Sequence, residues 1–416
     1  MDKQKSIPQI RFQECTGNWY CTEYKNVYSF RTTNSFSREK LNYDKGEVKN
    51  IHYGDIHTKF RTLFDVQRES VPYLNSDINI DKISFDNYCK EGDLIIADAS
   101  EDYADIGKAI EIVNLNNEKV VGGLHTFLAR PDLSKISIGF GGYLMKSSSI
   151  RLQLKIIAQG TKVLSISTGR LSDIKFNLPS LPEQQKIATF LSTVDEKIQA
   201  LKKKKSLLEQ YKKGVMQQIF NQEIRFKDDD GIDYPDWEEK KVGDIVIFTN
   251  GKAHENEIDK DGLYVVVNSK FISTNGKVRK YSDKNISPLL KNDIVLVMSD
   301  VPNGKTLGKC FLIDRDNKYT LNQRICSLRE VNVYNPFLFY IINRNDYYLS
   351  FDSGVGQTNL KKEDVLNCPI VIPISKEEQI KIANFLSAID DKIVYCQNHI
   401  DKSELWKKGL LQQMFV

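Results

Sequence analysis

The sequence predicts an α+β protein in which two long antiparallel coiled-coil helices separate two globular domains, with a pseudo-twofold internal repeat. Two observations carry this prediction. A segment of 38 residues occurs twice, at 183–220 and 378–415, with no gap and with about half of its positions identical. Each copy follows a region of about 150 to 180 residues that is rich in short β-branched and aromatic runs. Duplication of one supersecondary unit indicates internal symmetry.

Both copies of the repeat are predicted to be helices that pack lengthwise against another helix. Their apolar residues recur at steps of three and four, which is the spacing of a heptad seam. The predicted helix-pairing residues are Ile187, Leu191, Val194, Ile198, Leu201, Leu208, Ile382, Leu386, Ile389, Ile393 and Ile400. Polar residues interrupt the seams at Lys205 and Lys212 in the first copy and at Ser403 and Lys407 in the second. Antiparallel pairing of the two copies is the simplest way to cover both apolar stripes.

The last part of the repeat carries an aromatic residue and a glycine at equivalent positions in both copies. The aromatic residues are Tyr211 and Trp406, each followed by Lys-Lys-Gly. We interpret them as core packing, with a docking patch for partner proteins as the alternative. Gly214 and Gly409 lie inside the predicted helices, where glycine costs about 1 kcal/mol relative to alanine. Their recurrence predicts a close approach of the helices or a local break.

The two globular regions share a faint common skeleton. Q-I-R-F at 9–12 returns as E-I-R-F at 223–226, and each region later reaches a Gly-Lys turn, at 107–108 and 308–309. Short runs such as I-H-Y-G-D-I and D-I-V-L-V-M predict strands, because they are bounded by Gly, Asn, Asp and Pro. The predicted divisions of the chain are a first globular domain at 1–178, a long helix at 179–222, a second globular domain at 223–370 and a second long helix at 371–416.

Composition predicts a cytoplasmic chain with no membrane span and no disulfide framework. No stretch approaches the roughly 18 apolar residues of a spanning helix. The seven cysteines are scattered and never spaced C-x-x-C, which is typical of reduced thiols. The formal charge is only +4, and the first repeat alone holds eight lysines against four acidic residues. A nucleic-acid partner therefore requires the remaining basic residues to be gathered in patches.

One run of residues, L-P-S-L-P-E-Q-Q-K-I-A at 178–188, leads into the first long helix and continues as F-L-S-x-x-D-x-K-I. Q-I-R-F, I-H-Y-G-D-I and G-D-L-I-I-A-D-A-S occur upstream of it. In this combination and order the chain resembles the specificity subunits of type I restriction–modification systems over essentially its whole length. One departure is P-I-S-K-E-E-Q at 373–379, which replaces the usual double-proline approach to the second helix.

The resemblance implies two target recognition domains held apart by the two conserved helices. Each domain would read one half of a bipartite site in double-stranded DNA. Two methyltransferase subunits and two restriction/translocase subunits would be the protein partners. S-adenosylmethionine, ATP and Mg would belong to those partners, with no cofactor in this chain.

The motifs of a catalytic subunit are absent from the sequence. An adenine methyltransferase carries N/D-P-P-Y/F, whereas N-P-F at 335–337 lacks the second proline and predicts a helix start. G-K-T at 304–306 lacks the upstream glycine of a phosphate-binding loop and predicts a turn. His52 and His57 lie near Asp55, where strand-edge or DNA-facing roles are favoured over a metal site. We therefore expect no catalytic residue and no metal. A protein-binding scaffold and an unrecognised enzyme site are the alternatives.

Candidate DNA-binding residues occur in polar stretches of both globular regions. Cations position a protein on phosphates, while Arg, Lys, Asn and Gln read base edges through paired hydrogen bonds. The candidates are Arg31, Asn34, Arg38, Lys59, Arg61, Arg68, Arg170, Lys252, Asn268, Lys270, Lys277, Arg279, Lys280, Gln357 and Asn359. For each single residue a solvated surface position is the alternative. The run 202–205 is interpreted as a solvated helix face, with contact to phosphates or to an acidic partner as the alternative.

Overall fold

The computed structural model describes residues 7–302 and 304–416. They form two compact units, and each unit combines one globular domain with parts of both long helices. Unit 1 contains the chain up to Lys203 together with Cys396–Val416, and unit 2 contains Lys204–Tyr395.

Two helices are far longer than the others and coincide with the sequence repeat, so the predicted helical nature of the repeat is confirmed. The helices are α1 (Tyr53–Thr58), α2 (Phe140–Leu144), α3 (Ser148–Ile157), α4 (Thr168–Ser172), α5 (Leu181–Phe220), α6 (Ser269–Ser273), α7 (Asn335–Ile342), α8 (Asp346–Leu349), α9 (Lys362–Leu366) and α10 (Lys376–Gln413). Helix α5 has 40 residues and α10 has 38. The N-P-F run begins α7, with its proline in the first turn, as predicted.

The strands of unit 1 build two main sheets. They are β1 (Tyr20–Glu23), β2 (Tyr28–Arg31), β3 (Leu41–Asn42), β4 (Val48–Ile51), β5 (Leu63–Asp65), β6 (Tyr73–Leu74), β7 (Leu94–Ala97), β8 (Ala99–Ser100), β9 (Ala109–Asn114), β10 (Lys119–Gly122), β11 (Thr126–Pro131), β12 (Leu164–Ser165) and β13 (Lys175–Leu178). One sheet has the order β2-β11-β7-β9-β5 and the other β10-β4-β6-β3. Neighbours are antiparallel except for β5–β9 and β4–β10. Two separate ladders join β1 to β13 and β8 to β12.

The strands of unit 2 form two similar sheets. They are β14 (Glu238–Lys241), β15 (Val246–Asn250), β16 (Tyr264–Val267), β17 (Lys280–Ser282), β18 (Ile294–Val297), β19 (Ser299–Asp300), β20 (Cys310–Leu312), β21 (Tyr319–Leu321), β22 (Ile325–Glu330), β23 (Thr358–Asn359) and β24 (Pro369–Ile372). The orders are β15-β22-β18-β20 and β17-β16-β21, with β16–β21 parallel. Two ladders join β14 to β24 and β19 to β23.

Strand order and direction are the same in the two units. The sheet β15-β22-β18-β20 repeats β2-β11-β7-β9, and β21-β16-β17 repeats β10-β4-β6. Both two-stranded ladders recur as well. Unit 1 adds β5 and β3 at the edges of its sheets. The internal repeat predicted from the helices is therefore confirmed for the globular regions.

The central strands explain the continuous apolar runs of the sequence. Every residue of β7 and of β18 is buried, and a strand covered on both faces has no reason to alternate apolar with polar residues. In unit 1, Leu94 belongs to the core that contains the long helices, whereas Ile95 belongs to a second core with Ile56 of α1. Ile294 and Val295 divide in the same way in unit 2. Each central sheet therefore separates a helix-facing core from an outer core.

The predicted helix-pairing residues lie on the covered sides of α5 and α10. Those that are buried are Ile187, Leu191, Val194, Ile198, Ile382, Leu386, Ile389 and Ile400. Those that are half-buried are Leu201, Leu208 and Ile393. Within unit 1 the two helices run antiparallel, because Asp195 pairs with Lys407 while Lys202, further along α5, reaches back to Glu404 at 2.6 Å.

The I-H-Y-G-D-I run is not the predicted strand. Only Ile51 belongs to β4, and Tyr53 begins α1. The side chain of His52 accepts a hydrogen bond from the backbone N–H of Gly54 at 3.2 Å and so caps the helix. A short polar cap therefore outweighs the strand preference of the flanking isoleucines.

The prediction for the two repeat glycines is also wrong. Helices α5 and α10 continue without interruption through Gly214 and Gly409. A Cβ added at either position would meet nothing within 4 Å. Neither a helix break nor a close approach within the described chain explains these glycines.

Candidate nucleic-acid interface

The first turn of α5 is fastened to the globular domain of unit 1 by a buried carboxylate. Arg11 donates two hydrogen bonds of 2.7 Å to Glu183, and the indole N–H of Trp19 donates a third at 3.2 Å. The negative charge of Glu183 lies at the positive end of the helix dipole. Beside it, Gln184 accepts a hydrogen bond of 2.8 Å from the backbone N–H of Ser137. These contacts explain why Q-I-R-F and E-Q-Q occur together in the sequence.

Unit 2 repeats this anchor at the start of α10. Arg225 lies 3.2 and 3.4 Å from the two carboxylate oxygens of Glu378, and Trp237 donates to the same carboxylate at 3.2 Å. Gln379 accepts from the backbone N–H of Tyr334 at 2.8 Å. The anchor is therefore intact behind the divergent P-I-S-K-E-E-Q run, with a longer arginine–glutamate contact than in unit 1.

A tyrosine–aspartate–lysine cluster joins the domain to both helices in each unit. In unit 1 the hydroxyl of Tyr143 donates to Asp195 at 2.9 Å, and Lys407 pairs with the same carboxylate. The same contacts recur in unit 2 among Tyr340, Asp390 and Lys212. Burial and the adjacent carboxylate raise the pKa of both tyrosines. Two of the lysines that interrupt the heptad seams thus form cross-helix ion pairs.

The candidate cations of unit 1 include a closed cluster around one buried carboxylate. Arg38 donates two hydrogen bonds of 2.8 Å to Asp55, and Lys59 lies 3.0 Å from it. Burial alone would raise the pKa of Asp55, but the hydrogen bonds from Arg38 and Lys59 hold it below its usual value. Lys59 also donates to the hydroxyl of Tyr43 at 3.0 Å. The sequence candidates Arg38 and Lys59 are therefore brought together, although they are 21 positions apart in the chain.

The other candidates of unit 1 are also engaged within the domain. Arg61 lies 3.6 Å from Glu69, and Arg68 lies 3.2 Å from Asp65. The rest donate to backbone carbonyls: Arg31 to Phe30, Asn34 to Gly122 and Arg170 to Ile157. Any nucleic-acid contact by these side chains has to share or exchange an existing partner.

The four candidate lysines of unit 2 differ in that they are exposed and have no carboxylate partner among the described residues. Among the described residues no carboxylate lies within 4 Å of Lys252, Lys270, Lys277 or Lys280. Three of them lie on α6, on β17 and in the connection between the two elements. The remaining candidates are Asn268, which caps α6, Arg279, which donates to the carbonyl of Gly276, Gln357, which donates to Ser299, and the exposed Asn359.

The structure reveals one polar cluster that the sequence did not indicate as a unit. The rings of His52, His57 and His125 surround Tyr53, with centroids 4.7, 6.0 and 5.3 Å from its ring. The imidazole of His125 lies 3.2 Å from the carboxylate of Asp98. His125 is separated from the other two histidines by more than 60 positions, so no local pattern reports this grouping. Across residues 7–302 and 304–416, no three His, Cys, Asp or Glu side chains are arranged to hold a metal ion.

The G-K-T run at 304–306 is a loop with a bend at Lys305, and the turn lies just after it, at 307–308. The carboxylate of Asp300 accepts hydrogen bonds from the backbone N–H groups of Thr306 and Leu307, at 2.6 and 3.0 Å. These are the donors that a phosphate would need. A side chain of the protein itself already uses them.

An exposed aromatic surface marks equivalent parts of the two units. Trp406 is 50% exposed and Tyr211 is 55% exposed, so the interpretation of these residues as core packing is wrong. In unit 1, Trp406 packs edge-on against Phe190, which packs edge-on against Phe12. We call this group, with Gly409, the aromatic surface of unit 1; its counterpart in unit 2 comprises Phe226, Phe385, Tyr211 and Gly214.

Two mixed α/β units of one topology, each fastened to the same pair of long helices and each presenting its own set of cations, define a duplicated nucleic-acid recognition protein. The chain belongs to the family described as the type I restriction modification DNA specificity domain, whose model matches residues 22–210 and 234–402. It is the DNA-recognising specificity subunit of a type I restriction–modification system and not a catalytic subunit.

Curated relatives have the same assignment, and a solved structure has the same fold. A protein of Methanocaldococcus jannaschii assigned to the MjaX type I restriction enzyme as a specificity subunit is 23% identical over an alignment of 434 positions, which covers 100% of this chain and 96% of that protein. The MjaVIII specificity subunit of the same organism is 27% identical over 65% of this chain and 67% of its own length. A crystal structure of a type I S subunit from M. genitalium superposes with a TM-score of 0.62 at 14% identity, covering 99% of both chains. In the part of the chain that the structure describes, no helix is long and apolar enough to cross a membrane.

Proposed function

We propose that each globular domain reads one half of a bipartite DNA site and that the chain thereby directs methyltransferase and restriction subunits to it. The observation that carries the proposal is the duplication of one complete topology with two different sets of surface cations. A common scaffold with divergent surfaces is what two independent half-site readers require. The predicted domain limits, 1–178 and 223–370, with helices at 179–222 and 371–416, belong to the same proposal.

The division between positioning and reading follows from the chemistry of the candidates. The exposed lysines of unit 2 are suited to phosphates, because an ammonium group acts as a point charge without fixed geometry. Asn359 and the guanidinium groups of Arg31, Arg170 and Arg279 are suited to base edges, because they present paired hydrogen-bonding groups.

The partners are proposed to dock on the duplicated aromatic surface. Equivalent exposed surfaces on the two units support two copies of one partner, which we identify with two methyltransferase subunits. The open space around Gly214 and Gly409 would allow close approach of a partner backbone. Two restriction/translocase subunits complete the assembly. S-adenosylmethionine, ATP and Mg would be bound by the partners, and this chain would determine which DNA sequence is recognised.

The proposal is tested by reconstitution with the cognate methyltransferase subunit. The isolated chain is expected to transfer no methyl groups, and the complex with S-adenosylmethionine is expected to methylate adenine in both halves of one bipartite motif. Methyl transfer by the isolated chain, free of its partner, would contradict the proposal and favour an unrecognised enzyme site.

Docking is tested separately from DNA recognition. Trp406→Ser and Tyr211→Ser are each expected to weaken methyltransferase binding, by about 2 kcal/mol if they act as interface anchors, without changing the affinity of the isolated chain for DNA. Leu152→Ser, at another exposed apolar position, is the matched control. Equal effects of all three substitutions would place the docking surface elsewhere.

A protein-binding scaffold is the second candidate. Binding to random duplex DNA with a steep dependence on salt separates the two, because counterion release accompanies phosphate contacts. A chain that binds the methyltransferase and shows no salt-dependent DNA affinity would be a scaffold.

A further inference from the structure

A cavity of about 450 Å³ lies in unit 1 between the globular domain and the long helices, and its lining is strongly basic. The charged residues that line it are Arg61, Lys108, Lys146, Lys202, Lys407, Asp195 and Glu404. Five cations and two carboxylates therefore line the cavity, and Arg61 and Lys108 have further carboxylate partners outside it, Glu69 and Asp105. The hydroxyl of Thr62 and the amide of Gln199 add polar groups without charge. This predominance of basic groups disfavours both a cationic ligand and an apolar one.

Lys146 is the member of this lining whose charge is not balanced. Its ammonium group donates to the hydroxyl of Thr62, and no carboxylate of the described residues lies within 4 Å of it. Burial, and then the charge of Lys407, lower the pKa of Lys146 to about 8. Asp195 favours the charged form, whereas Lys108 and Arg151 oppose it together with Lys407. A half-buried ammonium group surrounded by like charges is unfavourable, and an anion beside it would stabilise it.

The nearby carboxylates are already engaged with other cations. Asp195 accepts from Tyr143 and pairs with Lys407, and Glu404 pairs with Lys202 at 2.6 Å. Among the described residues no further carboxylate is within reach of Lys146, so an anion that stabilises its charge would be a bound ligand.

The donors favour phosphate over a carboxylate ligand. Four of the five cations are lysines, which bind as point charges, whereas planar carboxylates are matched best by the fork of an arginine. The single arginine, Arg61, lies 3.6 Å from Glu69. A tetrahedral oxyanion can accept from several ammonium groups and from a hydroxyl at once.

We propose that this cavity binds a phosphate group. Two sources share that chemistry: free phosphate, and a phosphodiester of bound DNA. The second source rests on the proposed function, and the first does not.

Unit 2 keeps Lys212 and Lys309 at the places of Lys407 and Lys108 but has no cation at the places of Lys146 and Lys202, so we expect the site in unit 1 only. Asn343 follows Tyr340 as Lys146 follows Tyr143, and its side chain accepts a hydrogen bond of 2.9 Å from the backbone N–H of Cys310. In the repeat, Gln397 stands where unit 1 has Lys202.

The first arm of the test uses the full chain and inorganic phosphate in a phosphate-free buffer. Calorimetric titration at pH 7 is expected to show one site, and Lys146→Met is expected to weaken it at least 10-fold. Lys119→Met, which removes an exposed lysine of β10 outside the cavity, is expected to leave it unchanged. Wild-type affinity is expected to fall as the pH rises through about 8, where Lys146 loses its charge. Circular dichroism melting shows whether each variant is folded.

The second arm measures binding of random duplex DNA by the same three proteins over a range of salt concentration. A phosphodiester in the cavity predicts that Lys146→Met reduces the slope of log K against log salt by about 0.9, the value for one phosphate contact, whereas Lys119→Met does not. If Lys146→Met loses phosphate binding but keeps the wild-type slope of log K against log salt, the site binds free phosphate. A reduced slope without phosphate binding assigns it to DNA.

Failure of both arms in folded proteins overturns the proposal. If the wild-type chain binds no DNA at all, the proposed function fails, and the phosphate titration still decides the cavity by itself.

Discussion

The two units have one scaffold and two different surfaces. Sheet order, the arginine–glutamate–tryptophan anchor and the tyrosine–aspartate–lysine cluster are the same in both. So is a contact in which the lysine of the Gly-Lys turn donates to the last turn of a short helix, from Lys108 to the carbonyl of His57 and from Lys309 to that of Ser273. Every one of these shared contacts is charge-assisted or buried.

The units differ in whether their candidate cations are paired with carboxylates. Unit 1 pairs Arg38, Lys59, Arg61 and Arg68 with carboxylates, whereas unit 2 leaves four candidate lysines exposed. Unit 1 also holds two ionisable groups, the half-buried Lys146 and the buried Glu111, at places where unit 2 has Asn343 and Leu312. Contacts between domain and helix are therefore kept in both units, while the surfaces that carry the candidate cations differ.

The largest expected effect comes from the shared anchor. Glu183→Gln is expected to destabilise unit 1 by about 3 kcal/mol, because it leaves the guanidinium of Arg11 without its buried partner. Glu378→Gln is expected to cost unit 2 less, since its arginine contact is longer. Urea unfolding followed by tryptophan fluorescence would measure both, because Trp19 and Trp237 belong to different units. Asp391→Asn, an exposed position on α10, is the control, and losses no larger than that of the control would show that the anchor does not hold the units.

Substitution of the candidate cations is expected to have a smaller effect, on DNA binding, and the effect should be larger in unit 2 than in unit 1. The double variant Lys277→Gln, Lys280→Gln should lower the slope of log K against log salt for duplex DNA by up to about 2, at about 0.9 for each phosphate contact. Arg61→Gln should change it less, since Arg61 already has Glu69 as a partner. Equal slopes for the two variants would show that pairing with a carboxylate does not reduce a cation's contribution to DNA binding.

Stability is expected to respond to pH in unit 1 and not in unit 2. Burial raises the pKa of Glu111 to about 8, against the effect of the N–H groups of Gly142 and Gly139 that donate to it. A pKa raised on folding means that its contribution to stability is fully present below about pH 4.5 and is lost as the pH rises through 8. Leu312 occupies the equivalent place in unit 2, because it pairs with Ile294 as Glu111 pairs with Leu94.

Thermal unfolding at pH 5 and pH 8 checks this expectation. The melting temperature of unit 1 should fall by a few degrees over this range, on the scale of about 2–4 °C per kcal/mol. Glu111→Gln should flatten the dependence, because the amide cannot ionise. An unchanged slope in the variant would assign the pH dependence to other groups.

The smallest expected effects are equal in the two units. Gly214→Ala and Gly409→Ala should each stabilise the isolated chain by about 1 kcal/mol, since alanine is the better helix former and the added methyl groups meet no neighbour. Differential scanning calorimetry would detect the two increments. If the aromatic surface docks the methyltransferase backbone, the same substitutions should weaken that complex; a destabilised chain would show that these positions are strained.

Long helices with a repeated apolar spacing could be predicted from the sequence. A short helix that depends on a single capping residue could not. The heptad spacing from Ile187 to Ile198 predicts α5 because many positions repeat the same signal. Helix α1 depends on a single hydrogen bond at His52, which no periodicity reports. The cross-helix ion pairs could be detected in the sequence, because the repeat conserves both partners: Asp195 recurs as Asp390, and Lys212 recurs as Lys407.

The functional surfaces were harder to predict, for a physical reason. An arginine such as Arg38 has the same sequence character whether it faces solvent or a buried carboxylate, and only the fold decides between these. The burial of Lys146 and of Glu111 likewise depends on packing between distant segments. The DNA-binding candidates remain predictions, and what the structure adds is which of them are already paired.

The most direct test of the central claim is an exchange of one reading surface on the common scaffold. Residues 223–368 would be replaced by the same region of a relative with a different target, and the motif methylated by the reconstituted complex would be read by methylome sequencing. One half of the motif is expected to change to that of the relative, while the other half stays the same. A change in both halves, or in neither, in a complex that still methylates DNA would contradict the assignment of one half-site to each unit.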